Sequence, residues 1–369
     1  MTPRELLVRY PPSPAHSRIL IARGALDRLG VRTRRHTGAR RVALVTDARV
    51  GRLYGRRALQ SLESAGVAVS RIVVPRAEAG KSARQLARLW EGFARAALSR
   101  RDAVVALGGG AVSDLAGFAA ASWLRGVPWI CVPTTLLAQV DASVGGKTGI
   151  NLTAGKNLAG AFHQPACVIA DPDTLATLPP RQIRAGLAEV VKMGMAVDAA
   201  LFRWVERHAD RLSRGDARAL EEAVRRAVRA KLRVVRGDVF EREGGSRTAL
   251  NYGHTLGHAI ESALGYRGIL HGEAVAIGMR AAAALSERLV GLPASARARQ
   301  DALLDRLGLP RRMPRTSLSR LQRAISRDKK GARGQARWVL TPRMGHASVP
   351  RPIASRLVRE IALRFGARA

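Results

Sequence analysis

Residues 41–173 alternate short runs of β-branched and apolar residues with longer alanine-rich stretches of helical period. The apolar runs fall at residues 42–46, 72–74, 103–107, 129–132 and 167–170. This alternation is the pattern of βαβ units around a mostly parallel sheet. After Leu178-Pro179-Pro180 it stops, and helical periodicity dominates in residues 185–195, 220–235 and 274–289. The expected organisation is therefore an α/β half over residues 1–178 and an all-α half over residues 179–369, with a substrate bound between them. A chain of 369 residues that is 47% hydrophobic can bury two such cores.

The charge is the next constraint. A formal net charge of +35 would ordinarily suggest a nucleic acid or an anionic membrane as partner. Here the basic residues are spread along the chain, as on the arginine-rich stretch 218–236, where alanine, leucine and valine separate them in the manner of a solvated helix face. Aromatics are only 4%, which leaves no stacking platform for single strands. No specific nucleic-acid partner is expected, and no stretch approaches a membrane span. The first twelve residues hold charges and prolines without an apolar run, so no signal peptide is expected and the cytoplasm is the default location. Cys131 and Cys167 lie in apolar strand-like runs and read as buried free thiols.

Of the 63 basic residues only seven are lysine, and five of those have glycine or aspartate as an immediate neighbour. They are Lys81, Lys147, Lys156, Lys192, Lys231, Lys329 and Lys330. A chain this rich in arginine keeps lysine where a compact ammonium is needed. The run from Val104 through Gly108-Gly109-Gly110 to Asp114 is a strand, a glycine turn and a helix start, which outlines a pyrophosphate cradle. Gly145-Gly146-Lys147-Thr148 is no Walker motif, because Asp141 stands where its first glycine is required. Lys147 and Lys156 read instead as loop ammoniums that contact anionic oxygens. His254 and His258 are four apart, His271 follows ahead of another helix, and Glu189 is a carboxylate in an apolar helical run with Lys192 on its side. Two histidines and a carboxylate are the usual set of a catalytic zinc site, and spacing alone leaves open which two histidines bind.

Taken in order, Gly108-Gly109-Gly110, Pro133-Thr134-Thr135-Leu136-Leu137-Ala138-Gln139-Val140-Asp141, Gly145-Gly146-Lys147-Thr148-Gly149, Gly155-Lys156-Asn157, Leu187-Ala188-Glu189-Val190-Val191-Lys192, the His254/His258 run, Leu270-His271-Gly272-Glu273 and Asp328-Lys329-Lys330 resemble the 3-dehydroquinate synthases, within the sugar phosphate cyclase superfamily. The resemblance implies a Rossmann-like NAD-binding domain followed by a helical metal- and substrate-binding domain, with NAD and Zn2+ or Co2+ as cofactors. It implies a phosphorus–oxygen lyase that converts 3-deoxy-D-arabino-heptulosonate 7-phosphate to 3-dehydroquinate, the second step of the shikimate pathway to chorismate and the aromatic amino acids. In that chemistry the C5 alcohol is transiently oxidised, phosphate is eliminated, the ketone is reduced again, the ring opens, and an intramolecular aldol reaction closes the carbocycle.

Residue by residue, the resemblance assigns the metal to Glu189, His254 and His271. It assigns NAD to Asp47, Glu78, Lys81, Gly110, Ala111, Val112, Ser113, Asp114, Thr134, Thr135, Lys147, Lys156, Thr174, Leu175, Ala176 and Thr177. Substrate falls to Asp141, Lys147, Asn157, Lys192, Lys231, Arg247, Asn251, His258 and one of Lys329 or Lys330, with Arg233 as the competitor of Lys231. Arg125 matches an arginine that reaches the neighbouring subunit's site, which implies a homodimer. Three positions depart from the family's pattern: Ser113 and Ala77 replace glycines, and Arg49 replaces an asparagine. The alternatives are a sibling cyclase that makes a valiolone or an inosose, a metal-dependent polyol dehydrogenase, and a basic nucleic-acid-binding module.

Overall fold

A computed structural model describes residues 17–242, 244–327, 337–348 and 351–368. The first half holds β1 (Arg18–Ile21), α1 (Leu29–Thr37), β2 (Arg41–Asp47), α2 (Ala48–Ser64), β3 (Ala68–Val74), α3 (Ala83–Arg95), β4 (Ala103–Gly108), α4 (Gly110–Ser122), β5 (Trp129–Pro133), β6 (Lys147–Leu152), β7 (Gly155–Phe162) and β8 (Cys167–Ala170). Six of these strands form one parallel sheet in the order β1-β8-β5-β4-β2-β3. β4 is buried at every position, as a strand covered by helices on both faces must be. Leu44, Val105 and Leu107 pack with α1 and α2 on one face, while Val104 and Ala106 pack with α3 and α4 on the other.

The chain leaves β3 at one edge and returns to place β4 on the far side of β2, so the order reverses between β2 and β4. Ligands of open parallel sheets bind beside such a reversal, at the carboxyl ends of the strands. The Gly108-Gly109-Gly110 turn lies there, between β4 and α4.

Three strands of this half differ from the sequence reading. β1 is a four-residue edge strand held in register by β8 and by the Asp171 carboxylate, which accepts from the backbone N–H groups of Gly24 and Leu26 at 3.0 Å each. Lys147 and Lys156 belong to an antiparallel hairpin, β6 with β7, and not to loops. Glycines mask its strand pattern: a Cβ on Gly160 would meet the carbonyl oxygen of Thr148 at 2.1 Å, so the strands approach only because side chains are missing.

The second half comprises α5 (Pro180–Ala196), α6 (Ala199–Ser213), α7 (Ala217–Val235), α8 (His254–Ala263), α9 (His271–Val290), α10 (Ala294–Arg306), α11 (Leu318–Arg327) and α12 (Ser355–Arg364). α5 is buried on nearly every face from Ile183 onward, so it is the central helix around which α6, α7 and α9 pack. A second core joins α8 and α9 to α11 and α12 through Leu256, Ile277, Leu321 and Ile361. No helix among the described residues is long and apolar enough to cross a membrane.

Candidate active site

At the carboxyl edge of the sheet, Gly109 is extended and α4 starts at Gly110 with no side chain capping it. A Cβ on Gly109 would come within 3.1 Å of Thr135, and one on Gly110 within 3.3 Å of Ala142, so the glycines leave a shallow cradle over a helix N-terminus. Ser113, one of the departures, fits without disturbing it: its hydroxyl donates to the carbonyl of Gly109 at 3.3 Å and accepts from the Cys131 thiol at 3.4 Å. Thr134 is buried beside the cradle with its hydroxyl unpartnered. Asp47 spends its carboxylate on capping α2, accepting from the N–H groups of Arg49 and Val50. Arg49 donates to the carbonyl of Thr177 at 3.3 Å, and Tyr54 holds Thr174 and Thr177 in place. Leu175 is buried and Ala176 continues the same 3-10 turn, Pro172–Thr177. Ala77, the second departure, takes φ +54°, a left-handed conformation that costs a non-glycine residue roughly 1 kcal/mol.

From this edge a chain of polar contacts runs into the helical half. The buried Lys81 ammonium donates to Asp114 at 2.6 Å and to Asn157 at 2.5 Å. Asn157, itself left-handed at φ +56°, donates its N–H to Asn151, whose amide donates to Glu78. Lys156 lies 3.8 Å from Glu78, donates to Glu261 of α8 at 3.1 Å, and sits 4.3 Å over the Tyr266 ring. Glu261 in turn accepts from His271 Nδ1 at 2.9 Å. Lys147, half exposed on the hairpin, pairs with Glu241.

Three imidazoles converge beyond Glu261. One nitrogen from each of His254, His258 and His271 lies within 4.8 Å of the others. Glu189 Oε1 is 3.7 Å from His254 Nε2 and 3.4 Å from His271 Nε2. Both Glu189 oxygens are fully buried without a well-formed hydrogen bond, although the Lys192 ammonium rests against Oε2. A buried carboxylate left short of donors among imidazoles fits a divalent cation, which would supply what the hydrogen bonds do not. Burial, then the Lys192 charge, pushes the His254 pKa well below the ordinary histidine value, which favours the neutral imidazole. Burial opposes charge on His271, but its contacts with Glu189 and Glu261 prevail and raise its pKa to about 10. His258 is exposed toward the opening of the cluster.

Glycines explain how the helices bring these groups together. A Cβ on Gly272 would meet the carbonyl oxygen of Ala185 at 1.8 Å, and one on Gly278 that of Gly253 at 1.9 Å. α9 therefore lies backbone to backbone against α5 and the start of α8, and His271 reaches Glu189.

Next to this cluster, Asp141 sits on a short π-helical turn, Ala138–Ala142, between two ammonium groups. Lys231 of α7 donates to the Asp141 carboxylate and, at 2.5 Å, to its backbone carbonyl, while Lys192 lies 3.8 Å away. Burial works against the Asp141 charge, but Lys192 and Lys231 outweigh it and hold its pKa far below the carboxylate range. Burial lowers the Lys231 pKa against the pull of Asp141. Arg247 is buried, donates to the carbonyls of Val239 and Gly145, and keeps its Nε unpartnered. Gly145, at φ +103°, leaves the room this needs, since a Cβ there would meet the guanidinium at 2.5 Å. Asn251 ends the 3-10 turn, Ser246–Asn251, that carries Arg247.

The structure thus gathers Asp141, Lys192, Lys231, Glu189, His254, His258 and His271 into one cluster, linked through Lys156 to the hairpin and the cradle. Arg125 stands apart, exposed on the turn after α4 with φ +68°. Lys329 and Lys330 lie outside the described residues. Sequence reasoning passed over Glu261, Glu241 and Tyr266. Glu261 carried a usable signal, because seven residues after His254 it returns to the same helix face.

This fold is shared with sugar phosphate cyclases. The 2-epi-5-epi-valiolone synthase ValA of Streptomyces hygroscopicus subsp. jinggangensis 5008, solved with NAD+ and Zn2+ bound, matches with a TM-score of 0.87 at 26% identity, over 98% of this chain and 99% of that one. A 2-deoxy-scyllo-inosose synthase complexed with carbaglucose-6-phosphate, NAD+ and Co2+ matches with a TM-score of 0.86 at 27% identity, over 95% of this chain and 96% of that one. Sequence narrows the class: the family model for the 3-dehydroquinate synthase N-terminal region matches residues 71–185 and that for the C-terminal region residues 186–331. The 3-dehydroquinate synthase of Symbiobacterium thermophilum is 46% identical over 95% of this chain and 96% of its own length, and that of Nitrobacter winogradskyi 47% identical over 94% and 92%. The chain belongs to the 3-dehydroquinate synthase family.

Proposed function

We propose that the chain converts 3-deoxy-D-arabino-heptulosonate 7-phosphate to 3-dehydroquinate and phosphate, as a lyase dependent on NAD and a divalent metal, Zn2+ or Co2+. The observation that carries this reading is the buried Glu189 carboxylate, short of hydrogen bonds, facing His254 and His271 beside the Lys192–Asp141–Lys231 cluster. Identities of 46% and 47% to dehydroquinate synthases, against 26% and 27% to the valiolone and inosose synthases, favour this activity over its siblings.

Glu189, His254 and His271 would hold the metal. The glycine cradle at Gly110 and Ala111, with Asp47, Glu78, Lys81, Val112, Ser113, Asp114, Thr134, Thr135 and the turn from Thr174 to Thr177, would hold NAD. When bound, NAD supplies a reversible hydride acceptor and the metal polarises the substrate's hydroxyl oxygens. Lys192 and Lys231, kept dry and paired with Asp141, place two ammonium groups where substrate oxygens would lie and where charge counts for most. Lys147, Asn157, Arg247, Asn251 and His258 would grip phosphate and carboxylate. The division near residue 178 separates a cofactor half from a metal and substrate half, and the contacts from Lys156 to Glu261 and from Lys231 to Asp141 span it.

In the assay that tests this, purified protein with catalytic NAD and zinc releases phosphate from the heptulosonate without lasting NADH absorbance, and a chelator stops the release. No phosphate release, or stoichiometric NADH as a polyol dehydrogenase would give, would overturn the reading. We further propose a cytoplasmic homodimer in which the exposed Arg125 reaches the neighbouring site. A monomer in light scattering at assay concentration would remove it.

A further inference from the structure

Glu261 has no assigned role in the proposed reaction, yet it lies with only 5% of its surface exposed between two groups that have one. One oxygen accepts from His271 Nδ1 at 2.9 Å. The other accepts from the Lys156 ammonium at 3.1 Å. A carboxylate can only accept, so His271 must present its proton at Nδ1 to Glu261 and turn Nε2 toward Glu189, 3.4 Å away. Lys156 comes from β7 of the first half, where it also lies 3.8 Å from Glu78 on the 3-10 turn Ala77–Gly80. Glu261 belongs to α8 of the second half.

We propose that Glu261 is a positioning residue that fixes the orientation of His271 and ties it to Lys156, so that the metal-binding cluster and the cofactor-side hairpin are energetically coupled through a single carboxylate. The inference rests on Glu189, His254 and His271 being the metal ligands. A simple structural ion pair would need only one cation, whereas here the two oxygens are divided between a ring nitrogen and an ammonium from opposite halves. Carboxylates that hold the far nitrogen of a ligating imidazole set its tautomer and strengthen it as a ligand. The second contact gives the coupling: whatever holds the hairpin in place holds Lys156, and Lys156 holds Glu261. NAD and metal should therefore raise each other's affinity, and by the same factor.

The experiment uses the full chain, stripped of metal by chelation and dialysis. Zinc affinity is measured by competition with a chromophoric chelator, with and without NAD, and cobalt absorbance reports the ligand field. Wild-type protein should bind zinc more tightly with NAD present. Glu261→Gln should lose on the order of 10- to 100-fold in zinc affinity and show an altered cobalt spectrum, while melting within a few degrees of wild type in chelator. Lys156→Met should abolish the NAD effect on zinc affinity even at NAD concentrations shown by titration to saturate the variant. If Glu261→Gln melts far lower, Glu261→Asp, one methylene too short to serve both partners, carries the same test. Unchanged zinc affinity in the Glu261 variant, no NAD effect in wild type, or an NAD effect retained in Lys156→Met would each overturn the coupling. Wild-type protein that binds no zinc, or binds it as well after His254→Ala, would instead remove the metal reading itself and this inference with it.

Discussion

Lys231 and Arg233 stand two residues apart on α7 and meet opposite environments. Lys231 is 5% exposed with its ammonium on Asp141, whereas the Arg233 side chain is 58% exposed and pairs with Asp198 on the surface. Truncating a buried, hydrogen-bonded charge costs several kcal/mol at its site, while a surface pair is worth little. Lys231→Met should lower kcat/KM by at least about 100-fold, and Arg233→Met by less than about twofold. Steady-state kinetics with a melting curve for each variant decides it; equal effects would return Lys231 to a structural role. The rarity of lysine made this residue visible in the sequence, and the structure pairs every described lysine with an acid: Lys81 with Asp114, Lys147 with Glu241, Lys156 with Glu261, Lys192 with Glu189, Lys231 with Asp141. The acids were the harder half to see. Glu241 acquires meaning only from a partner distant in sequence, Lys147, which no local pattern announces, whereas the one local sign of Glu261 is its seven-residue spacing from His254.

At the scale of elements, the strands of the main sheet were legible because burial on both faces demands continuous apolar runs, as in Val104-Val105-Ala106-Leu107. The β6–β7 hairpin was not, because Gly149, Gly155 and Gly160 replace the side chains whose alternation marks a strand. The helices around the imidazoles also depend on missing side chains. Gly272→Ala would drive a methyl into the carbonyl of Ala185, with only 1.8 Å available, and separate α9 from α5. The variant should lose about 1–3 kcal/mol or more of stability, with weakened zinc binding because His271 moves from Glu189. Gly55→Ala serves as its opposite: this glycine lies in α2 with ordinary helical geometry and open space at its Cβ, so alanine should stabilise by about 0.5–1 kcal/mol. Denaturant unfolding of the two variants checks both signs. A neutral Gly272→Ala would mean that the two helices can part without consequence for the site.

Across the whole molecule, charge remains the property that the active site does not use up. With 63 basic residues against 28 acidic ones, the surface stays strongly cationic even if every acid finds a partner. Many do, as in Arg299 with Glu206 and Arg288 with Glu360, but exposed pairs of this kind contribute about 0–1 kcal/mol each. Elsewhere arginines gather: an open cavity of about 870 Å³ at the end of α8 is walled by Arg267, Arg315 and Arg320, with no carboxylate among the described residues of its lining. Two effects of salt therefore compete, since screening weakens the pairs and also relieves repulsion among the unpaired cations. The excess of +35 decides for repulsion, which acts over the whole surface and favours the expanded chain. Raising potassium chloride from about 20 to about 300 mM, which shortens the screening length from roughly 20 Å to under 10 Å, should raise Tm. Sodium sulfate at equal ionic strength should raise it further, because sulfate also strengthens the burial of apolar surface. Scanning fluorimetry across the two salt series gives the sign directly, and a Tm that falls with chloride would show that the surface ion pairs, and not the unpaired cations, govern the electrostatic stability of the fold.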